Sequence, residues 1–147
     1  MKISTKGRYA TRALMDIAQH YGKSPVLLKD ISARQGISLR YLEQIMSPLI
    51  SARIISSTRG PKGGVMLARP PQKIKLIEIV QLLEGPIAPV ECVSNPGMCT
   101  RAPSCATRDV WSDLAQAMCG VLETTSLQDL VERQKKKESG KKIIYDI

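Results

Sequence analysis

The stretch between residues 28 and 64 most constrains what this chain can fold into. Residues 28–36 form a short helical pattern with Ile31 facing inward, and Gly36 supplies the left-handed stop that ends such helices. Ile37 follows, and Ser38 is a good N-cap for a next helix. On that helix Leu42, Ile45, Met46 and Leu49 share an inward face, while Arg40, Tyr41, Glu43, Gln44 and Ser47 face outward. Pro48 is expected to kink or close it, because its ring clashes with the carbonyl of Gln44. A short helix, a glycine turn and a capped helix spell a helix-turn-helix, whose second member enters the major groove of DNA. Two segments that read as short strands, 53–58 and 65–69, then flank the turn-rich tip Arg59-Gly60-Pro61-Lys62-Gly63-Gly64. A hairpin directly after a helix-turn-helix is a wing. The fold class that follows is mainly α: a winged helix-turn-helix with a small two-stranded wing, and a long C-terminal dimerisation helix.

The side chains left outside suit a nucleic-acid partner. Arg40 and Gln44, at i and i+4, match guanine and adenine edges. Glu43 repels phosphate but accepts from cytosine N4, which penalises wrong sites. Ser38 and Tyr41 complete the exposed start of this helix, and Arg59, Gly60 and Lys62 form a cationic tip suited to a narrow minor groove. Upstream, Ser4 or Thr5 caps a first helix whose apolar residues recur at Tyr9, Ala13, Leu14, Ile17, Ala18 and Tyr21 before Gly22 and Pro25 end it. Lys6, Arg8 and Arg12 crowd its start, which disfavours the helix dipole unless an anion such as a DNA phosphate sits there. His20, the sole histidine, falls near the end of that helix with no second ligand nearby, which points to a structural role or a charge that complements the helix dipole. Of the net charge of +9, the whole excess lies in residues 1–70, with twelve Lys/Arg against three acids. That asymmetry is the electrostatic footprint of phosphate binding.

Pro70 and Pro71 close the first unit, 1–70. Residues 76–84 are apolar on too many sides for a surface helix and should be packed on two sides. Gly85-Pro86 stops that helix, and a longer one follows at about 105–123. It carries two apolar rows, Val110/Leu114/Ala117/Val121 and Trp111/Ala115/Met118/Leu122, a width that suits a twin helix from a second copy. Thr125-Ser126 caps a last helix through Leu127, Leu130 and Val131. Residues 71–134 thus form a second unit, and 135–147 read as a charged, frayed tail in which Ile143-Ile144-Tyr145 offers a docking segment.

Between the two later helices lies a segment, 91–105, that holds Cys92, Cys99 and Cys105 together with Pro96, Gly97 and Pro103, and so reads as an irregular loop. Three soft thiolates are the preferred donors of an iron–sulfur cluster. Zinc more often shows paired C-x2–4-C knuckles, which are missing, and bare redox thiols are a further alternative. A cluster needs a fourth ligand, for which Asp109, Glu91, a group from a partner subunit, or an external thiol or water are candidates. Cys119 lies roughly 20 Å along the helix from Cys105 at about 1.5 Å per residue, and reads as a core residue.

No apolar run approaches the ~20 residues of a membrane span, and the N-terminus has no secretion-type apolar region, so a reducing cytoplasm is the expected setting. No glycine-rich phosphate loop, catalytic triad or second metal motif points to an enzyme.

Lys-Gly-Arg-Tyr-Ala at 6–10, Gly-Ile-Ser-Leu-Arg-Tyr-Leu-Glu-Gln at 36–44 and Arg-Gly-Pro-Lys-Gly-Gly at 59–64 closely resemble the IscR-like regulators, a bacterial winged-helix family that also includes NsrR and CymR. The resemblance runs through residues 1–134. It implies a homodimer with a long crossing helix, double-stranded palindromic DNA read by 38–47 and 59–64, and an iron–sulfur cluster, [2Fe–2S] before [4Fe–4S], on Cys92, Cys99 and Cys105. It also implies a cluster-dependent transcription regulator, a repressor of iron–sulfur biogenesis genes in which Glu43 separates operator classes. IscR proteins carry a histidine three residues after the third cysteine, where this chain has Arg108, which cannot ligate iron. NsrR-type nitric oxide sensors use a carboxylate near the N-terminus, where this chain has Arg8. The run 83–91 is closer to CymR, the cysteine-metabolism regulator that lacks the cluster cysteines. Nitric oxide or redox sensing, and cluster-free control of cysteine metabolism, are therefore the alternative implications.

Overall fold

The computed structural model describes residues 1–145, with side-chain surroundings through Lys141. Helix α1 (Thr5–Gln19) begins where Ser4 Oγ accepts the Gly7 N–H at 3.1 Å, and buries Ala10, Ala13, Leu14, Ile17 and Ala18. It stops at Gln19, so Tyr21 falls beyond its inward stripe and is exposed, contrary to the periodicity. Helix α2 (Leu28–Gln35) ends at Gly36, whose φ of 64° is the left-handed conformation that a residue without Cβ adopts at no steric cost. Helix α3 (Leu39–Ser51) is capped by Ser38, whose hydroxyl accepts the Tyr41 N–H at 3.2 Å. It buries the four expected residues Leu42, Ile45, Met46 and Leu49. Pro48 does not close this helix: it lies inside it, and the Ala52 N–H still reaches the Pro48 carbonyl at 3.0 Å. One missing donor is outweighed by a face that is buried through Leu49.

The wing strands do not fill the two expected segments, 53–58 and 65–69. Strands β1 (Ile55–Thr58) and β2 (Gly64–Leu67) pair antiparallel, with Ile55 opposite Leu67 and Thr58 opposite Gly64. Arg53, expected at the first strand's start, instead turns the chain with φ of 58°. Val26 joins β2 by an antiparallel bridge to Val65, with both backbone bonds at 2.8 Å, and so anchors the wing to the segment before α2. A 3-10 turn at Pro71–Lys73 leads into helix α4 (Leu76–Glu84). As the apolar pattern demands, α4 packs on α1 on one side and on the long helix α6 (Ala106–Thr124) on the other. Leu82 nevertheless remains exposed.

The cysteine segment is not free of helix. Glu91–Ser94 forms a single turn, α5, and Pro96–Met98 and Ala102–Ser104 form 3-10 turns. Proline is tolerated in a first turn, where its missing N–H has no intrahelical partner. Helix α7 (Leu127–Tyr145) starts from a reciprocal cap: Ser126 Oγ accepts the Asp129 N–H at 3.1 Å, and Asp129 Oδ2 accepts the Ser126 N–H at 2.8 Å. Those bonds hold the Asp129 carboxyl below its ordinary range. Leu127 and Val131 then bury against the α1 core, and the helix runs on to Tyr145, through the stretch whose charge suggested fraying. The core accordingly unites α1, α2, α3, the wing, Ile74, Ile79 and the start of α7.

Candidate nucleic-acid interface and cysteine loop

The outward face of α3 is as its pattern required. Arg40, Glu43, Gln44 and Ser47 are exposed, and Ser38 is exposed at the cap. Tyr41 differs. Its ring is half-buried and stands edge-on to Tyr9, with centroids 5.9 Å apart and planes at 82°. An aromatic pair at this angle gains from quadrupole contact, so Tyr41 braces α3 against α1 more than it offers a free ring. Arg12 lies 5.5 Å from the Tyr9 centroid and also donates to the Gln35 carbonyl, which fixes the end of α2. This arginine, read from sequence as a phosphate contact, therefore has a structural task.

Glu43 and Ser47 of α3 share with Ser57 and Val65 of the wing a cavity of about 310 Å³, so α3 and the wing form one surface. At the wing tip Arg59, Gly60 and Lys62 are exposed, and a Gly63 N–H to Gly60 carbonyl bond of 2.9 Å closes the turn. Lys6 and Arg8 are exposed on the first turn of α1; Arg8 Nη2 donates to Thr5 Oγ1 at 3.2 Å and shares a groove with Lys2.

The start of α1 is held by a residue that sequence reasoning missed. Glu84, the last residue of α4, accepts from the Ser4 N–H at 3.0 Å and from Ser4 Oγ at 2.5 Å. A Cβ at position 7 would lie 2.3 Å from Glu84 Oε1, so a larger residue there would push the Glu84 carboxylate off Ser4. A second missed residue carried a signal. Asp16 is a charge in the apolar stripe of α1, and it is 1% exposed. Arg34 of α2 grips it with Nε at 2.9 Å and Nη2 at 2.7 Å, and Gln35 Nε2 adds a bond at 2.9 Å. Burial pushes its pKa up, but the Arg34 and Gln35 bonds outweigh burial and hold the carboxyl below the usual range. His20 Nδ1 lies 2.8 Å from the Asp16 carbonyl, in keeping with a structural histidine.

In the loop, Cys92 sits in α5, Cys99 follows the first 3-10 turn, and Cys105 is the N-cap of α6. All three are half-buried free thiols, as is Cys119. The Thr107 hydroxyl, 3.2 Å from Cys105 Sγ, together with the Arg108 and Thr107 backbone, pulls the Cys105 thiol below its ordinary pKa. Arg108 Nε donates to the Cys92 carbonyl at 3.1 Å and lines with Cys99 a groove of about 440 Å³. Its side chain thus ties α6 to α5 across the loop. Among the described residues no three Cys, His, Asp or Glu side chains converge closely enough to hold a metal ion. The chemistry of the donor set, three unpaired thiols in one loop, fits a thiolate-bound cluster; their present spacing requires the loop to draw together around it.

A family model described as Rrf2, iron-dependent transcriptional regulator, matches residues 3–133. The chain belongs to the Rrf2 family of transcriptional regulators. Among family members, the protein named rrf2 from Nitratidesulfovibrio vulgaris is 44% identical over 131 residues, covering 89% of this chain and 87% of that one. The HTH-type transcriptional regulator IscR of Photorhabdus laumondii is 40% identical over 134 residues, covering 91% of this chain and 81% of the relative. The solved structure of CymR, the global cysteine regulator of B. subtilis, superposes with a TM-score of 0.79 at 38% identity, covering 90% of this chain and 98% of that chain. The resemblance carried by the three motifs therefore holds, as does the mainly helical winged-helix fold. The family model and the relatives are described as transcriptional regulators, a role that implies DNA binding. Among the described residues no helix is long and apolar enough to cross a membrane.

Proposed function

We propose that this protein is a homodimeric, cluster-dependent repressor of iron–sulfur biogenesis genes, which reads palindromic operators and senses cluster supply through Cys92, Cys99 and Cys105. The observation that carries the reading is the position of the cysteine loop. It joins α4, which packs on the DNA-reading unit, to α6, which leaves an apolar row uncovered. Val110, Leu114 and Val121 are 57%, 45% and 65% exposed, and Ala117 between them is exposed too. Such a row is expensive to leave in water, and a second α6 would cover it. Two heads on one dimer then meet two half-sites.

The three thiolates would hold the cluster, a [2Fe–2S] centre by preference, and the bound cluster supplies an iron- and redox-sensitive cross-link of the loop. Arg108 contributes no ligand; it spans α5 and α6 by its bond to the Cys92 carbonyl. The fourth position falls to Asp109 or Glu91, both exposed at the ends of the loop, or to an external ligand. Drawing Cys92, Cys99 and Cys105 together changes the junction between α4 and α6, and with it the spacing of the heads. On the head, Arg40, Gln44, Ser38 and Glu43 read bases; Lys6, Arg8, Arg59, Gly60 and Lys62 engage backbone or minor groove, and Tyr41 supports α3. The test is selection of binding sites from a random duplex pool by cluster-loaded and cluster-free protein in parallel. Different affinities or operator sets are expected; identical affinity for every duplex would remove the coupling.

A second reading is favoured by the 0.79 TM-score to the CymR structure: a cluster-free regulator of cysteine metabolism, with the thiols serving only redox chemistry. In that case the two selections return the same sites.

A further inference from the structure

The second half of the chain is neutral only as a sum. Residues 71–132 hold four Lys/Arg against eight acids, whereas residues 133–147 hold six against two. The cations of that last segment are Arg133, Lys135, Lys136, Lys137, Lys141 and Lys142, and the structure puts them on the far end of α7. That end does not point away from the reading unit. Leu127 and Val131 anchor α7 in the α1 core. Farther along, Gln134 and Glu138 line a cavity of about 510 Å³ together with Arg12 of α1 and with Arg34 and Gln35, the last residues of α2. The next residues after Gln35 are the turn at Gly36 and the cap Ser38, which start the recognition helix. Helix α7 therefore passes beside the helix-turn-helix turn, and from Glu138 it continues for seven residues, about 10 Å.

We infer that the basic end of α7 is a second DNA-contacting element, in which Lys135, Lys136, Lys137 and Lys141 hold duplex phosphates flanking the site read by α3. The four side chains are exposed, and among the described residues none of them joins an ion pair. Four like charges within two turns repel one another, so their concentration on a helix that packs onto the reading unit is costly without a polyanion. The dimer-forming section between is acidic and would be repelled by the same duplex, which leaves the head and the α7 end as the two positive surfaces. Lysine, a compact point charge on a flexible stem, suits backbone phosphates and carries no base preference. The inference requires DNA binding but no cluster, so its failure and that of the sensing model are separable.

The experiment uses the full chain with Lys135, Lys136, Lys137 and Lys141 all changed to Gln, and a second variant with all four changed to Arg. Binding to a mixed-sequence duplex is followed by fluorescence anisotropy across a salt series, with circular dichroism to verify that both variants keep the wild-type helix content. Each lost phosphate contact should lower the slope of log K against log salt by about 0.9. The Gln variant is expected to lose at least about one unit of slope and to bind roughly tenfold more weakly or worse at ~0.1 M salt, and the Arg variant to recover wild-type behaviour. A Gln variant with wild-type slope and affinity would make these lysines an ordinary solvated face and overturn the inference.

Discussion

Replacing Arg34 by alanine tests how the first two helices are held together. Asp16 is 1% exposed and receives two bonds from Arg34 and one from Gln35. Removing one partner of a buried ion pair typically costs about 3–5 kcal/mol, because a charge is left without compensation. Here Gln35 still donates and the Arg34 side chain is itself 42% exposed, so about 2–3 kcal/mol is the magnitude to expect. The pH dependence follows from the carboxyl. In the wild type its folded pKa is lowered, so its contribution is complete above the unfolded value of about 3.9 and is lost as pH falls through the folded value. Without Arg34, burial dominates and the folded pKa moves above the unfolded one. The penalty is then full at neutral pH and is relieved as pH falls toward about 4. Urea denaturation of wild type and Arg34→Ala from pH 7 to 4.5 should show a gap that narrows with acidification. Adding Asp16→Asn to Arg34→Ala should recover part of the loss. A gap under about 0.5 kcal/mol that ignores pH would refute the assigned role of the pair.

Three other outcomes follow. Ser4→Ala removes the α1 cap and one bond to Glu84, and should cost about 1 kcal/mol in denaturant unfolding while weakening DNA binding through the turn that carries Lys6 and Arg8. Leu114→Asp, placed in the uncovered row of α6, should convert a dimer to monomers in analytical ultracentrifugation with little loss of helix by circular dichroism, since the side chain is 45% exposed within one chain. Glu43→Ala should relax operator choice in a competition assay, raising affinity for poor sites about fivefold or more while changing the preferred one little.

The winged helix-turn-helix was legible because its signals are local. Gly36, Ser38 and the stripe Leu42/Ile45/Met46/Leu49 each act within a turn or two, and each behaves as its chemistry dictates. The departures have tertiary causes. Pro48 is carried inside α3 because Leu49, the residue after it, is buried in the core, and Tyr41 turns inward because Tyr9, 32 residues earlier, stands beside it. Glu84 is separated from Ser4 by 80 positions, so no window reveals their contact. Asp16 was visible as a charge out of place, but its partner lies across the interhelical contact, 18 residues on. The cysteine loop was legible as donor chemistry only. Its short turns are set by Pro96 and Pro103 at first-turn positions, and its sulfurs are brought together by no bond that the sequence specifies.

The proposed role of Cys92, Cys99 and Cys105 as ligands of an iron–sulfur cluster can be measured directly. The direct measurement is iron and acid-labile sulfide content, with the visible absorption spectrum, of protein purified and reconstituted without oxygen, for the wild type and for each single Cys→Ala variant. Iron and sulfide in equal amounts with charge-transfer bands are expected in the wild type and in Cys119→Ala, and their loss in Cys92→Ala, Cys99→Ala and Cys105→Ala. Wild-type protein that stays colourless and takes up no iron would contradict that role.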